Sequence, residues 1–503
     1  MTPFSWRRLL SSPREILGLD LRSLALLRMG LGVTLILDLL YRARFLEAQY
    51  SDAGIIPRRV LRKAVPDSSP LELHALSGAV EYQAFLFGVA LVFAAMLLVG
   101  YRTRLACFAS WLLLVSLHFR NPFLLDGGSH LPRVVLFWCL FLPLGARISL
   151  DARRRPEAAR AGPLYVSAAS AALLVQVGVI YFFAGLAKQG PQWRLYGNAL
   201  RWVLLDPPFV QPLAHWLGQQ PELLRLLSFS VVYFELAGPL LLLCPLWNGP
   251  VRTLVCAGFL ALQLGIGLTM WVGFFPVASI AAALGLLPGW FWARLPLRSR
   301  GEGAAPAAAP APRAGLLARA EDVFVLLALA WVLSVNLSYR DGRIALPHWF
   351  LAPGYPIKLY QVWDMYKAPR HVEQRFDFVA TTRDGSTVSL WDEGPGERWK
   401  TVQDIQSDYN FKIGQFMLRG ENVSERLQVA YADWLCRQWN ADAPAARTLV
   451  SLELVSLLRH LNVDGSHAPW RARRIHSHRC GPAPESGRPS GEPDPPPTSG
   501  SRP

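Results

Sequence analysis

Lys188 is the residue whose type and position first suggest chemistry. The 503-residue chain has 51 basic residues, only six of them lysines, and Lys188 is the only lysine between Lys63 and Lys358, where arginine is otherwise used throughout. An arginine keeps its proton in a protein, whereas a lysine taken out of water can release it and act as a base. A lysine at the end of an apolar run also has a bland reading, a snorkelling ammonium that complements a helix C-terminus. Other polar residues share the apolar runs: Arg28 and Asp38 in the first, Glu235 in the sixth, Gln263 in the seventh, with His118 and Arg133 near run ends. Such groups are costly there, so they either pair to fix helix packing or converge on a polar site. Glu235 is the most centrally placed acid.

The elements that must position these residues follow from composition. With 52% hydrophobic and 17% charged residues and a mean hydropathy of +0.24, the chain is too apolar for an ordinary soluble protein. Apolar runs lie at about 23–41, 83–101, 105–119, 133–150, 164–187, 226–247, 253–274, 277–291 and 323–339. Their lengths suit membrane crossing. They predict a mostly α fold, a polytopic transmembrane bundle of about eight or nine helices carrying a small extracytoplasmic α+β domain. Residues 1–22, with Trp6, Arg7, Arg8, Arg14 and Arg22, read as an interfacial segment before an uncleaved first span. The bundle is expected over 23–298, an Ala/Pro-rich cytoplasmic linker over 299–320, a last span over 321–339, the outer domain over 340–466 and an unstructured tail over 467–503. Within the outer domain Phe376–Trp391 reads as a hairpin turning at Asp384-Gly385. Ser424–Trp439, with Ser424 as N-cap, and Ala443–Leu461 read as helices.

The net charge of +15 belongs to the apolar part: residues 1–339 carry +13 and the remainder +2. It falls in short arginine-rich connections, such as Arg147 with Arg153, Arg154, Arg155 and Arg160, the pattern of cytoplasmic loops. This places the N-terminus in the cytoplasm and the C-terminal domain outside a plasma (inner) membrane, against which Arg58, Arg59, Arg62 and Lys63 in the 42–82 connection count. No aromatic-interleaved basic face accompanies the charge, so a nucleic-acid partner is disfavoured. The six cysteines form no C-x-x-C, which argues against a dithiol centre, a Cys-based zinc site and a vitamin K epoxide reductase; whether Cys436 and Cys480 pair is not readable. A Gly-rich phosphate loop with Lys and Ser/Thr is also missing, and no metal site is expected.

The stretch Tyr181-Phe182-Phe183-Ala184-Gly185-Leu186-Ala187-Lys188, with Trp193 and Tyr196 beyond, resembles the segment bearing the catalytic lysine of vitamin K-dependent γ-carboxylases. Four more stretches resemble the wider family of horizontally transferred transmembrane (HTTM) domain proteins. They are Arg28 to Asp38 followed by Tyr50–Arg58, Arg120-Asn121-Pro122 with Asp126-Gly127-Gly128, Glu235–Gly238, and Gln361–Tyr366. The resemblance implies that Lys188 is the base for a membrane quinol, reduced vitamin K or menaquinol, with Trp193 and Tyr196 beside it, and that His130 falls near a histidine the carboxylases use. It further implies an extracytoplasmic peptide or protein acceptor. For His130 a loop-structural role stands as the other reading. Gln263 replaces an expected family histidine, and the C-terminal region is short beside that of the carboxylases.

Two functions follow. The first is a γ-glutamyl carboxylase-like lyase, or related oxygen-dependent chemistry, run by a quinol with Lys188 as base. The second is a non-catalytic membrane scaffold, assembly factor or small-solute carrier in which Arg28, Asp38, Glu235 and Gln263 form a structural intramembrane polar network. The lipid bilayer is a partner in both.

Overall fold

The computed structural model describes residues 10–65, 69–154, 162–205, 210–295, 315–341, 344–369, 371–390, 395, 421–462 and 466–481. Nine helices correspond to the nine apolar runs: α1 Leu21–Ala43, α2 Val80–Val99, α3 Thr103–Arg120, α4 Gly127–Cys139, α5 Ala168–Ala187, α6 Pro221–Leu242, α7 Asn248–Thr269, α8 Phe275–Gly285 and α9 Leu316–Asp341. Of these, α1, α2, α5, α6 and α7 are long and apolar enough to cross a membrane. Helix α1 packs on α2 and α8, α5 on α6 and α9, and α7 on α8.

Successive helices run in opposite directions, so their ends gather into two layers. At one end Arg28 reaches the carbonyls of Leu97 and Ile148, Asp151 accepts from Thr103, and Arg252 reaches Leu286 and Gly18. At the other, Arg42 reaches Ser129 and Lys188 reaches Met365. The boundaries shift from expectation where local chemistry dictates. Helix α4 starts six residues before the predicted 133 because the Asp126 side chain accepts from the Ser129 N–H and caps it. It stops at Cys139, short of 150, before a turn containing Pro143 and Gly145. The run at 277–291 divides before Pro288, and Gly289–Trp292 forms a separate short helix. Helix α9 begins at Leu316 and so includes the end of the expected linker; residues 299–314 of that linker, like Trp6, Arg7 and Arg8, lie outside the described residues.

Beyond α9 the chain crosses the second layer and builds a sheet from β1 Val372–Thr382, β2 Thr387–Ser389, β3 Leu449–His460 and β4 Arg471–Arg479 in the antiparallel order β2-β1-β3-β4. The β1–β2 hairpin turns at Asp384-Gly385 as expected, with Gly385 at φ +85°. Helix α10, Glu421–Asp442, covers the sheet and contains Ser424 inside it, since the helix begins three residues earlier than predicted.

Two readings give way. The expected helix over Ala443–Leu461 is instead the central strand β3: Leu449, Leu452, Leu454 and Ser456 are buried in near alternation, a period that suits a sheet. The start of the expected tail at 467 is likewise ordered as β4, which pairs along β3 and is tied to α10 by a Cys436–Cys480 disulfide. Residues 482–503 lie outside the described residues.

The sheet domain shares a core with the bundle's end. Phe45, Ile56, Leu61 and Phe123 join Phe376, Phe378, Leu435 and Trp439 in one buried cluster. The short helix Arg58–Ala64 packs against α10, and Arg58 pairs with Asp52 at 2.8 Å. Of the basic residues counted against the orientation, Arg58 thus serves a protein contact, while Arg59, Arg62 and Lys63 are exposed. Oxidised full-length protein digested without reductant is expected to yield a Cys436–Cys480 linked peptide. Cys436→Ser should cost about 2–4 kcal/mol of stability in the C-terminal domain, measured by denaturant unfolding; unlinked cysteines would contradict the pairing.

Candidate functional site

The site forms where α5 ends. Lys188 follows its last turn and is 3% exposed, and its Nζ donates to Glu235 Oε2 at 2.7 Å and to the carbonyls of Ala184 and Met365, each at 3.3 Å. An ammonium has three protons, and here each has an acceptor. The ring of Trp193 lies 5.4 Å from the same nitrogen, within cation–π range. Glu235 projects from α6, and its approach depends on Gly185: a Cβ at that position would stand 3.0 Å from the Glu235 Cβ. Two turns earlier Gly178 faces Pro239 in the same way. The small residues of α5 therefore set how close α6 comes, and that closeness sets the ion pair.

A strap from Lys358 to Tyr366 closes the site. Leu359, Gln361 and Trp363 alternate toward the bundle and are each buried. Gln361 and Gln176 of α5 exchange amide hydrogen bonds at 2.7 and 3.0 Å, while Trp138 donates to Gln176 and Trp363 to Gln361. The strap then presents two carbonyls, Met365 to Lys188 and Tyr366 to the Trp193 indole N–H. Lys358 and Tyr366, at its ends, both hold left-handed backbone conformations, φ +53° and +54°. Such conformations cost non-glycine residues about 1 kcal/mol or more each and persist where surrounding contacts fix them.

Apart from Arg28, the motifs quoted from the sequence meet at this layer. Arg120, fully buried, donates to the carbonyls of Ser51 and Ile56, and Asn121 to that of Gln49. A Cβ on Gly128 would meet the Phe275 amide nitrogen at 3.0 Å, and one on Gly127 the Met365 sulfur at 3.1 Å. His130 lies in the first turn of α4, whose N-terminus therefore abuts the strap that contacts Lys188.

The other expected residues disperse. Arg28 serves the carbonyls of Leu97 and Ile148 at the opposite layer. Asp38 pairs with Arg42 at 2.8 Å, and Arg42 also donates to the Tyr50 hydroxyl and Ser129. Gln263 donates to the Tyr181 hydroxyl at 3.1 Å. Arg28, Asp38 and Glu235 thus stand in three separate clusters, because each charged group finds a partner close to its own helix: carbonyls for Arg28, Arg42 for Asp38 and Lys188 for Glu235. Tyr196 is 56% exposed and does not join Trp193 against Lys188. Sequence reasoning missed Arg42, the Gln176–Gln361 pair and the strap carbonyls. The stretch Gln361–Tyr366 was the available signal for the strap, while backbone acceptors leave none.

A bundle of antiparallel apolar helices with a charged pair at one end defines an integral membrane protein. The pattern of the HTTM domain matches residues 18–288, more than half the chain, and the chain belongs to the HTTM-domain family. No curated protein and no solved structure shows significant similarity to it.

Glu235→Gln leaves the Lys188 ammonium buried without its carboxylate and is expected to destabilise the bundle by about 3–5 kcal/mol. Lys188→Met combined with Glu235→Leu should recover most of that loss, because an apolar pair carries no desolvation penalty. Unfolding of the detergent-solubilised single and double variants measures both, and additive losses would contradict a coupled pair.

Proposed function

We propose that the protein is a membrane enzyme in which Lys188, with Glu235 as its proton partner, is the base for a lipid-soluble quinol, in support of carboxylation or related oxygen-dependent chemistry on an extracytoplasmic acceptor. The observation that carries this reading is the 2.7 Å contact between the lone lysine of the bundle and a buried carboxylate.

A protonated Lys188 is no base. Its proton must first move, and Glu235 Oε2 is the acceptor already in place. Transfer along that hydrogen bond leaves a neutral amine beside a neutral acid, an arrangement that burial favours once an incoming ligand takes one of the ammonium's three acceptors. The amine then accepts a proton from a hydroxyl that takes the place of the Met365 carbonyl. The Trp193 ring offers a flat apolar wall at the right distance, and its indole is held by Tyr366. These residues suit a flat, apolar ligand with one ionisable hydroxyl, which describes reduced vitamin K or menaquinol. Such a quinol, when bound, supplies the reaction with oxygen that an amine base cannot perform. The strap keeps bulk water from the amine.

The placement proposed with this reading has the N-terminus in the cytoplasm and the C-terminal domain outside an inner (plasma) membrane. Two observations support it: the described arginines of the 102–104 and 147–154 connections lie at the layer opposite Lys188, and a disulfide closes the C-terminal domain, as is usual in oxidising compartments. The second reading, a non-catalytic scaffold or carrier, is favoured by the full complement of acceptors around Lys188, which also describes a structural pin.

Incubation with reduced menaquinone, oxygen and labelled bicarbonate separates them. The enzyme reading expects quinone epoxide and incorporated label, and a loss of about 10²–10⁴-fold in Lys188→Arg, which keeps the charge but not the ready deprotonation. Turnover in Lys188→Arg equal to that of the parent would exclude Lys188 as base.

A further inference from the structure

Five arginines are buried in the described residues of the bundle and its end layer: Arg28, Arg42, Arg120, Arg133 and Arg252. Four of them are well provided with acceptors. Arg28 has two carbonyls at 3.1 and 2.6 Å, Arg120 two at 3.0 and 2.8 Å, and Arg252 three between 2.6 and 3.2 Å. Arg42 has a carboxylate and two hydroxyls at 2.8 to 2.9 Å.

Arg133 differs. Its contacts are the His118 Nδ1 at 3.0 Å and the Tyr360 carbonyl at 3.5 Å, the outer limit of a hydrogen bond. A guanidinium only donates, so the His118 Nδ1 must accept and the imidazole carries its proton on Nε2. That Nε2 is fully buried and has no partner; Arg133 Nε is unpaired too, as are Arg28 Nε, Arg120 Nε and Arg252 Nη2, so what sets this pair apart is the imidazole donor and the poverty of acceptors around the guanidinium. Two donors on facing helices α3 and α4 are therefore unsatisfied around a guanidinium that lacks a carboxylate. Arg42, itself paired with Asp38, and the basic residues His130 and Lys358 act on His118 in addition to Arg133, and among the described residues no carboxylate pairs with Arg133. A buried cation without counter-charge costs several kcal/mol by order of magnitude, and arginine cannot escape by deprotonation.

We propose that the Arg133–His118 pair is a binding site for a small carboxylate. One negative charge balances one guanidinium, and the two oxygens of a planar carboxylate suit one guanidinium N–H and one imidazole N–H. The half-buried Lys358, 3.9 Å from the Phe119 ring at the start of the strap, adds a second positive charge nearby. The site stands apart from the Lys188–Glu235 pair and does not depend on its chemistry. The strap joins the two, since Tyr360 and Met365 contribute a carbonyl to each.

The test uses the full chain in detergent, titrated with sodium acetate or bicarbonate against sodium chloride at constant ionic strength. Thermal unfolding and the line width of carboxyl-¹³C acetate are read together. A saturable rise in the unfolding midpoint with acetate, with bicarbonate or with both, but not with chloride, is expected, because a ligand that binds only the folded state stabilises it. Arg133→Gln should weaken that binding about tenfold or more, His118→Phe should weaken it with the guanidinium intact, and Lys188→Arg should leave it unchanged. Should Arg133→Gln fail to fold, His118→Phe and the parent titration still decide. No saturable response in the parent overturns the proposal, as does an undiminished response in His118→Phe or Arg133→Gln. Loss of quinol turnover alone bears on Lys188 and not on this site.

Discussion

The structure depends on a single constraint: a charge placed inside an apolar bundle must find its counter-charge or its carbonyls there, since water does not supply them. The Lys188–Glu235 pair is the sharpest case. Its formation requires α5 and α6 to touch at Gly185, requires α5 to end at Lys188, and requires the Met365 carbonyl to arrive from a segment about 180 residues further along the chain. The glycines, the helix end and the strap are separate features of the sequence that meet in one hydrogen-bonding geometry.

The buried arginines extend the same logic to the rest of the fold. They act as carbonyl staples: Arg28 joins α2 and the Ile148 turn to α1, Arg252 joins the Gly18 segment to α7 and the end of α8, and Arg120 holds the Ser51–Ile56 loop to α3. Each fastens a connection at a helix terminus, where orphan carbonyls are available. Arginine suits this because its planar fork reaches two acceptors at once and remains charged when buried. The preference for arginine over lysine in this region therefore has two sources, topology in the loops and stapling within the bundle, and Lys188 departs from both.

Much of the architecture was legible. Nine apolar runs became nine helices, the Asp384-Gly385 turn closed its hairpin, and Lys188 with Glu235 stood out as charged residues in apolar surroundings. What was not legible had physical causes. Ala443–Leu461 contains many leucines, which favour helix, yet its burial alternates and pairing with β1 and β4 decided the strand. Leucine propensity is a weak prior beside such pairing. Arg28 and Asp38 stand apart from Glu235 because sequence reports depth along a helix and not which face it turns, while Gln263 bonds Tyr181, which interacts electrostatically with Glu235. The strap was hidden because its contribution is mostly backbone carbonyl and a glutamine pair with Gln176 on a distant helix.

The central claim is that Lys188 and Glu235 work as one proton-holding unit, and the most direct measurement is the protonation of Glu235 itself. Infrared difference spectroscopy of the parent protein against Glu235→Gln, recorded without oxygen before and after addition of reduced menaquinone, isolates that carboxyl group. The account predicts an ionised carboxylate in the resting protein that gives way to a protonated acid once the quinol is added. A carboxylate band that stays unchanged by the quinol would contradict it.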